Sequence, residues 1–487
     1  MTTPDGLSEY LARLTVGREI VRVAAEVSPV DEIAAVTRRV TAGAEAGGPV
    51  LVFERVAGSK LPVVTNLWGA AGRVYGFLGE ESATALVERL RSELSGKVAE
   101  GWWEKLRTVP QLAQGGRFAP RVTRSGACQQ VVRLGRDVEL GSLPFVRSGS
   151  RETAACLTSG VVFTKDPASG VRDVARVAVA VHERASCRLL WSIHDVGFQN
   201  YLGYQRRSLR MPVAIVVGGD AAVLLAASLP GLPGVEPLRV AGFLRGGSVD
   251  LVACRSQDLE VTANAEVVLE GFIDPGEAWE PVGTVASATG HYRTEGLAPI
   301  VHVTAVTQRA NPVWLASIPG GANREERALA EVASRLGLPV VQRLLPEVVD
   351  FAVPPCGSPN NVAFVSIRKQ YPYQARRVIQ QLMGLSPHWA VKLIVVVDEG
   401  VALRDSESVW REVAANVHAP RDLVQQVGPG SQLDHASPEP GMTAMVGLDA
   451  TRKLPGEGHA RVWPEAVECD ADVLERLEQR WPELGLN

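Results

Sequence analysis

The stretch from Asp258 to Tyr292, DLEVTANAEVVLEGFIDPGEAWEPVGTVASATGHY, holds the side chains best suited to acid–base chemistry. Glu260, Glu266, Glu270, Glu277 and Glu280 are set among strand-like apolar residues and glycines, and the run closes on His291 and Tyr292. An ordinary surface strand alternates cleanly and stops. This one passes through a Gly/Pro-rich turn that itself bears acids, a pattern that holds carboxylates at the edge of a cavity. A carboxyl or imidazole placed there transfers a proton when its pKa lies near the working pH. Glu266 and Glu270 are four residues apart, so a strand puts both on one face. They are expected to pair with basic groups in the sheet.

Elements of two periodicities must position these groups. Leu7 to Leu14 is predicted as an amphipathic helix, Glu19 to Val27 as a strand and Val30 to Ala42 as a helix. Strands at Val50 to Val56 and Pro62 to Asn66, then a helix at Ala83 to Ser95, complete an α/β domain over residues 1–115. From Val122 short β-rich runs dominate, among them Gly160 to Thr164, Val174 to His182, Leu189 to Ile193, Val213 to Val217 and Ile300 to Thr307. DPASG, Asp166 to Gly170, is a turn signal between two of them. Such a series suggests a barrel-like sheet over residues 116–318. Asn323 and Glu326 fit a capping box at the head of a linker helix in region 319–340. In the third region, 341–487, VKLIVVVDE (Val391 to Glu399) reads as a buried parallel strand. The fold class is α+β and multidomain.

Composition narrows the partners. The chain has 487 residues, 46% apolar and 21% charged, which is ordinary for a globular protein of several domains. A net charge of -4 argues against nucleic acid as the main partner. No run reaches the apolar length of a membrane span, and the first residues lack the pattern of a signal peptide. Cys128, Cys156, Cys187, Cys254, Cys356 and Cys469 form no CxxC pair and are expected as reduced thiols of a cytoplasmic protein.

AGFLRGG at Ala241 to Gly247, ANAEVVLEGFIDPGE at Ala263 to Glu277 and TGHY at Thr289 to Tyr292 resemble the core of the UbiD-like decarboxylases, which use prenylated flavin mononucleotide. TSGVVFTKDPASGVRDV, MPVAIVVGGDAA, VSIRKQYPYQAR and IVVVDEGV are similar to the same family, and the likeness is collinear from residue 5 to about 453. The resemblance implies an N-terminal α/β domain, a flavin-binding split barrel, a linker helix and a C-terminal α/β domain that builds a homodimer, in some members within a hexamer. It implies reversible, non-oxidative decarboxylation of an aromatic or α,β-unsaturated carboxylic acid, with a flavin prenyltransferase supplying the cofactor. The cofactor does the hard chemistry, and the protein positions it and donates a proton.

The resemblance also distributes roles. It implies a phosphate held through Mn2+ or Mg2+, with K+ nearby. The first ligand position, Asn in the family, is Asp173 here, and a carboxylate is a hard ligand suited to such ions. Glu236, one place early with Pro237 following, and His194 in WSIHDVGFQN are the other expected ligands. Arg176, Val177, Ala178, Leu190, Trp191, Ser192 and His194 are expected along the cofactor, and Lys392 at its phosphate or in a salt bridge.

Two departures make the member atypical. The family's central arginine position is Ala178; Arg176 lies two residues earlier and, in a regular strand, on the same face about 6–7 Å away. It is expected in the same cavity, holding substrate carboxylate or contacting flavin. The family's proton-donor position falls at Ala286 or Ser287, neither of which has a carboxyl. Glu280, on a Gly/Pro-rich loop, is the first candidate to replace it, then His291, then Glu277. The expectation is a decarboxylase with a rearranged acid/base set; a flavin protein with another reaction and an inactive structural subunit are the alternatives. The small Ala178, Ala286 and Ala288 suit a bulkier or already activated acid.

Overall fold

Five sheets, three of them large, and a connecting helix organise the described residues. The computed structural model describes residues 4, 6–17, 19–44, 47–94, 116–229, 235–320, 324–354, 361–385, 391–464, 467 and 469–485. The proposed cap Asn323 and the thiol Cys356 fall outside these. The helix Leu7–Val16 forms because Leu7, Tyr10, Leu11 and Leu14 make one apolar stripe, and all four are buried. Behind it lies a four-stranded sheet in the order Ile20–Val27, Val50–Val56, Val63–Thr65, Trp314–Leu315. The last strand returns from far along the chain to run parallel to Val63–Thr65. Its Trp314 is fully buried, so the central region is anchored in the core of the first.

The central sheet follows the path Cys156–Leu157, Val179–Glu183, Ser186–Leu189, Ile300–Gln308, Val267–Ile273, Met211–Val217, Val161–Lys165, Arg172–Arg176, with Val131–Leu134 paired to Ile300–Gln308 beside it. Arg172–Arg176 and Val179–Glu183 lie near opposite ends of this path, yet only Val177 and Ala178 join them. With Cα atoms about 3.8 Å apart, the steps from Arg176 to Val179 span at most ~11 Å. The sheet therefore curls until its ends nearly meet, as a split barrel.

This closure corrects the expectation of one strand over Val174 to His182. The apolar run is unbroken, so periodicity hides the step. The Arg176 N–H instead donates to Ala227 O, and the Val177 N–H to Gly160 O. Arg176 and Ala178 therefore share no strand face, and the two-residue rule does not carry between them. Two further expectations change: that of a loop at Glu280 and that of a strand over Leu189 to Ile193. Ala241 to Arg245 of the AGFLRGG motif is helical, within Pro237–Arg245, with Pro237 opening the helix and Gly246 closing it at φ +75. Arg245 sits in its last turn, bound to Asp220. The Gly/Pro-rich loop expected around Glu280 is a hairpin, Glu280–Ala286 against Tyr292–Ala298, with Glu280 opposite Ala298. The strand expected at Leu189 to Ile193 ends at Leu189, where the chain turns toward the helix Val196–Gln205.

The helix Arg324–Leu344 leads to a five-stranded sheet in the order Val348–Ala352, Val362–Ile367, Leu393–Asp398, Met442–Asp449, Leu423–Pro429. Leu393–Asp398 is parallel to both neighbours, and its Ile394, Val395, Val396 and Val397 are buried, as its apolar run predicts. The loop 430–441, between the last two strands, reaches back to the central barrel. Among the described residues no helix is long and apolar enough to cross a membrane, and the five described cysteines are free thiols.

Candidate functional site

A cavity of about 430 Å³ lies at the split of the barrel, within the usual span of ~300–1,000 Å³ for small-molecule sites. One wall is the closure step, residues 173–178. A second is the turn that carries Leu190, Ser192, His194 and Asp195. The hairpin end adds Val285, Ala286, Ser287, Ala288 and Arg293, and the start of the connecting helix adds Glu326. Gly430, Ser431, Gln432 and Leu433 form a roof from the C-terminal domain.

Two acids dominate the electrostatics of the first two walls. Burial, reinforced by the charge of Asp195, pushes the Asp173 carboxyl up to about 6, although the N–H groups of Val174 and Gly197 favour its ionised form. Burial likewise raises Asp195, against the opposing influence of the Ser192 N–H, His194 and Arg293. Asp195 Oδ2 accepts from the Ser192 N–H at 2.7 Å. A buried carboxyl and a half-buried one that repel each other on one cavity gain from a nearby cation.

A second charged pair lies on the same cavity. Arg176 Nη2 donates to Glu326 Oε2 at 2.6 Å. Burial works against the Arg176 charge; Glu326, with Glu325 behind it, outweighs this and keeps the guanidinium protonated. Glu325 is buried, accepting from the Trp68 N–H at 3.2 Å and from Ser317 Oγ at 2.9 Å. The connecting helix is thereby fastened to the first domain and to the end of the central one.

The roof is tied down at three points. His194 Nε2 is 2.9 Å from Gly441 O. Gln432 Nε2 donates to Trp191 O at 3.2 Å. The rings of His291 and His435 lie 4.8 Å apart. Within the roof, Asp434 accepts from Lys392 Nζ at 2.8 Å and from Thr443 Oγ1 at 2.6 Å.

Of the residues expected from sequence, Asp173, Arg176, Val177, Ala178, Leu190, Ser192 and His194 line the cavity. Others are placed elsewhere. Glu280 is at the far end of its hairpin strand, about 20 Å along it from Ala286, and is bonded to Arg188 and His182. Glu277 pairs with His302 at 2.6 Å on the surface. Trp191 faces the roof loop through its carbonyl, and Lys392 is engaged by Asp434. Glu236 stands at the N-cap position of its helix without a side-chain cap bond and accepts from Arg172 at 2.6 Å. Glu266 and Glu270 are fully buried in the sheet, as expected, but largely on backbone donors: Glu266 on the Val313 N–H and Ser8, with Arg309 at 4.0 Å, and Glu270 on the N–H groups of Arg255 and Ser256.

Sequence reasoning passed over Asp195, Glu326, Arg293 and the roof loop. Asp195 stood beside His194 in a segment already singled out. Glu326 was read only as a capping partner, and the strand register that turns Arg293 inward has no sequence marker.

The donor set fits a hard divalent cation in part. Asp173 and Asp195 supply two oxygen-bearing side chains in need of positive charge. Glu236 and His194 have other partners, and among the described residues no group of three His, Cys, Asp or Glu side chains is gathered as for a metal.

Domain models decide the family. The 3-octaprenyl-4-hydroxybenzoate carboxy-lyase N-terminal, Rift-related and C-terminal domains of UbiD match residues 11–93, 121–322 and 327–450. The chain belongs to the UbiD family of carboxy-lyases. An uncharacterized protein of Aquifex aeolicus (strain VF5) is 35% identical over 480 residues, covering 99% of this chain and 98% of that relative. The UbiD-class enzyme HmfF from Pelotomaculum thermopropionicum, solved in complex with FMN, is 30% identical with a TM-score of 0.76, covering 94% of this chain and 97% of that one. The vanillic acid decarboxylase of Sedimentibacter hydroxybenzoicus in closed form is similar in fold at 24% identity, with a TM-score of 0.87 over 100% of both chains; its open form gives 0.77.

Proposed function

We propose that this UbiD-family chain catalyses reversible, non-oxidative decarboxylation of an aromatic or α,β-unsaturated carboxylic acid with prenylated FMN. One observation supports this most: a single cavity gathers a carboxylate pair suited to a cation, Asp173 and Asp195, and an arginine–carboxylate pair, Arg176 and Glu326. A phosphate beside two carboxylates is repelled unless a cation lies between them, so the first pair suits a phosphate held through Mn2+ or Mg2+. Val177, Ala178 and Leu190 give an apolar surface for a flavin ring, with Ser192 and His194 at its polar edge. When bound, the prenylated flavin supplies the sink for the electrons left by departing carbon dioxide. Arg176 takes the place of the family arginine in orienting substrate carboxylate. Ala178, Ala286 and Ala288 leave room for a bulky acid, and the roof excludes water.

The reading carries the domain plan 1–115, 116–318, 319–340 and 341–487, a homodimer built on the last region, a cytoplasmic location and a flavin prenyltransferase as cofactor supplier. One observation favours an inactive subunit instead: among the described side chains the hairpin places no carboxyl on the cavity. Extraction separates the readings. Protein made with a prenylated-flavin supply should release a compound of the mass of prenylated FMN, and cofactor-free protein under those conditions contradicts the proposal.

A further inference from the structure

Among the described residues three carboxyl groups line the cavity: Asp173, Asp195 and Glu326. The first two accept from backbone N–H groups, and the charge of Asp195 acts on Asp173, so nearby positive charge would favour both. Glu326 is placed differently. It projects from the first turn of Arg324–Leu344, with its side chain 13% exposed, and meets Arg176, 22% exposed. Glu325, one residue earlier, is held by Trp68 and Ser317. Successive helical side chains diverge by about 100°, so the pinned Glu325 fixes the direction of Glu326. Among the described side chains the hairpin offers Val285, Ala286, Ser287, Ala288 and Arg293 to the cavity, with no carboxyl, and Glu280 is held at its far end.

We propose that Glu326 is the proton donor of this chain, loaded and discharged through Arg176. The inference rests on the decarboxylase reading above. Arg176 presents one guanidinium to two competing carboxylates. As substrate carboxylate moves onto it, Glu326 loses the share of countercharge that Arg176 supplies in a mostly buried position and takes a proton from solvent. The bond between the substrate carbon and its carboxyl group then breaks. Carbon dioxide leaves neutral, and the electron pair of that bond stays with the substrate–cofactor system. The Glu326 O–H gives its proton to the carbon, a C–H bond forms, and the new Glu326 carboxylate pairs again with Arg176. One proton enters from solvent for each carbon dioxide released, so atoms and charge balance. The departure of the competing anion itself drives the donor back to its paired state.

The test uses full-length protein carrying its flavin, with Glu326→Gln and Glu326→Asp variants. On an acid that the unmodified protein decarboxylates, E326Q should lose about 100-fold in kcat, the size expected for a missing general acid. Its cofactor absorbance should be unchanged, and E326D should recover part of the rate. A second readout needs no turnover. Hydrocinnamate, an aromatic carboxylate without a conjugated double bond, added to weakly buffered unmodified protein should draw about one proton per site from solvent, and E326Q should draw none. Absence of proton uptake by the unmodified protein, or E326Q decarboxylation within about 3-fold of it, overturns the donor role and leaves the decarboxylase reading standing. Unmodified protein that holds the flavin yet releases no carbon dioxide from aromatic or α,β-unsaturated acids overturns that reading, and the donor role with it.

Discussion

Arg176 Nη2 lies 2.6 Å from Glu326 Oε2, so the step that closes the barrel and the helix leading to the C-terminal domain meet in one ion pair on the cavity wall. Both side chains are mostly covered. Removing one partner leaves the other charge in a place built for a pair, whereas removing both does not. Arg176→Met should therefore destabilise the protein by about 2–4 kcal/mol, and the Arg176→Met/Glu326→Gln double variant by less than the single one. Urea unfolding measures both. A double variant less stable than Arg176→Met contradicts the pairing.

The Asp173–Asp195 relation predicts a cation response. In protein stripped with a chelator, added Mn2+ should raise the melting temperature and improve flavin retention. Asp173→Ala should weaken that Mn2+ dependence at least 10-fold, since removing a ligand costs no less than disturbing its support. Equal Mn2+ titrations of the two proteins would show that Asp173 does not bind the ion.

Glu325 predicts a pH dependence of stability. Burial raises its carboxyl above the usual range; the Trp68 N–H and Ser317 oppose this, Glu326 adds to it and Arg176 opposes it. The folded protein thus holds this proton more tightly than the unfolded chain, whose glutamates titrate near ~4.3. The stability so contributed is complete below that pH and falls as pH rises through the folded value. Glu325→Gln, which keeps the size and drops the charge, should flatten the fall in urea midpoint above about pH 4.3. An unchanged slope would place the titration elsewhere.

Glu152 positions the hairpin. Its Oε2 accepts from the Ser148 and Gly149 N–H groups, the latter at 3.0 Å, and its Oε1 from the Ala286 N–H at 2.8 Å. Glu152→Ala leaves these donors without their carboxylate and should cost about 2–4 kcal/mol. Glu152→Gln should cost less. Because Ala286 belongs to the cavity wall, the alanine variant should also lose flavin retention, read from the absorbance of purified protein.

Much of this architecture was legible in the sequence. The apolar stripe of Leu7–Val16, the continuous run of Leu393–Asp398 and the turn at Asp166 announce themselves through spacing and turn chemistry. The closure step was not legible: Val177 and Ala178 are apolar like their neighbours, and only the pairing of distant strands ends one strand and begins another there. The site divides along the same line. Asp173, Arg176 and His194 sit on segments with recognisable motifs. Glu326 reaches the cavity from another domain's helix, a juxtaposition set by the crossing of Trp314–Leu315 into the first sheet and by the anchoring of Glu325. Glu280 looked mobile because of its glycines and prolines, but cross-strand pairing with Ala298 and bonds to Arg188 and His182 hold it away.

Release of carbon dioxide tests the central claim most directly. Protein made with a prenylated-flavin supply should be incubated with a panel of aromatic and α,β-unsaturated acids, and carbon dioxide followed together with the decarboxylated product. The account predicts release from at least one acid, one product per carbon dioxide, with Arg176→Ala strongly impaired. Cofactor-loaded protein that releases no carbon dioxide from any of these acids would contradict it.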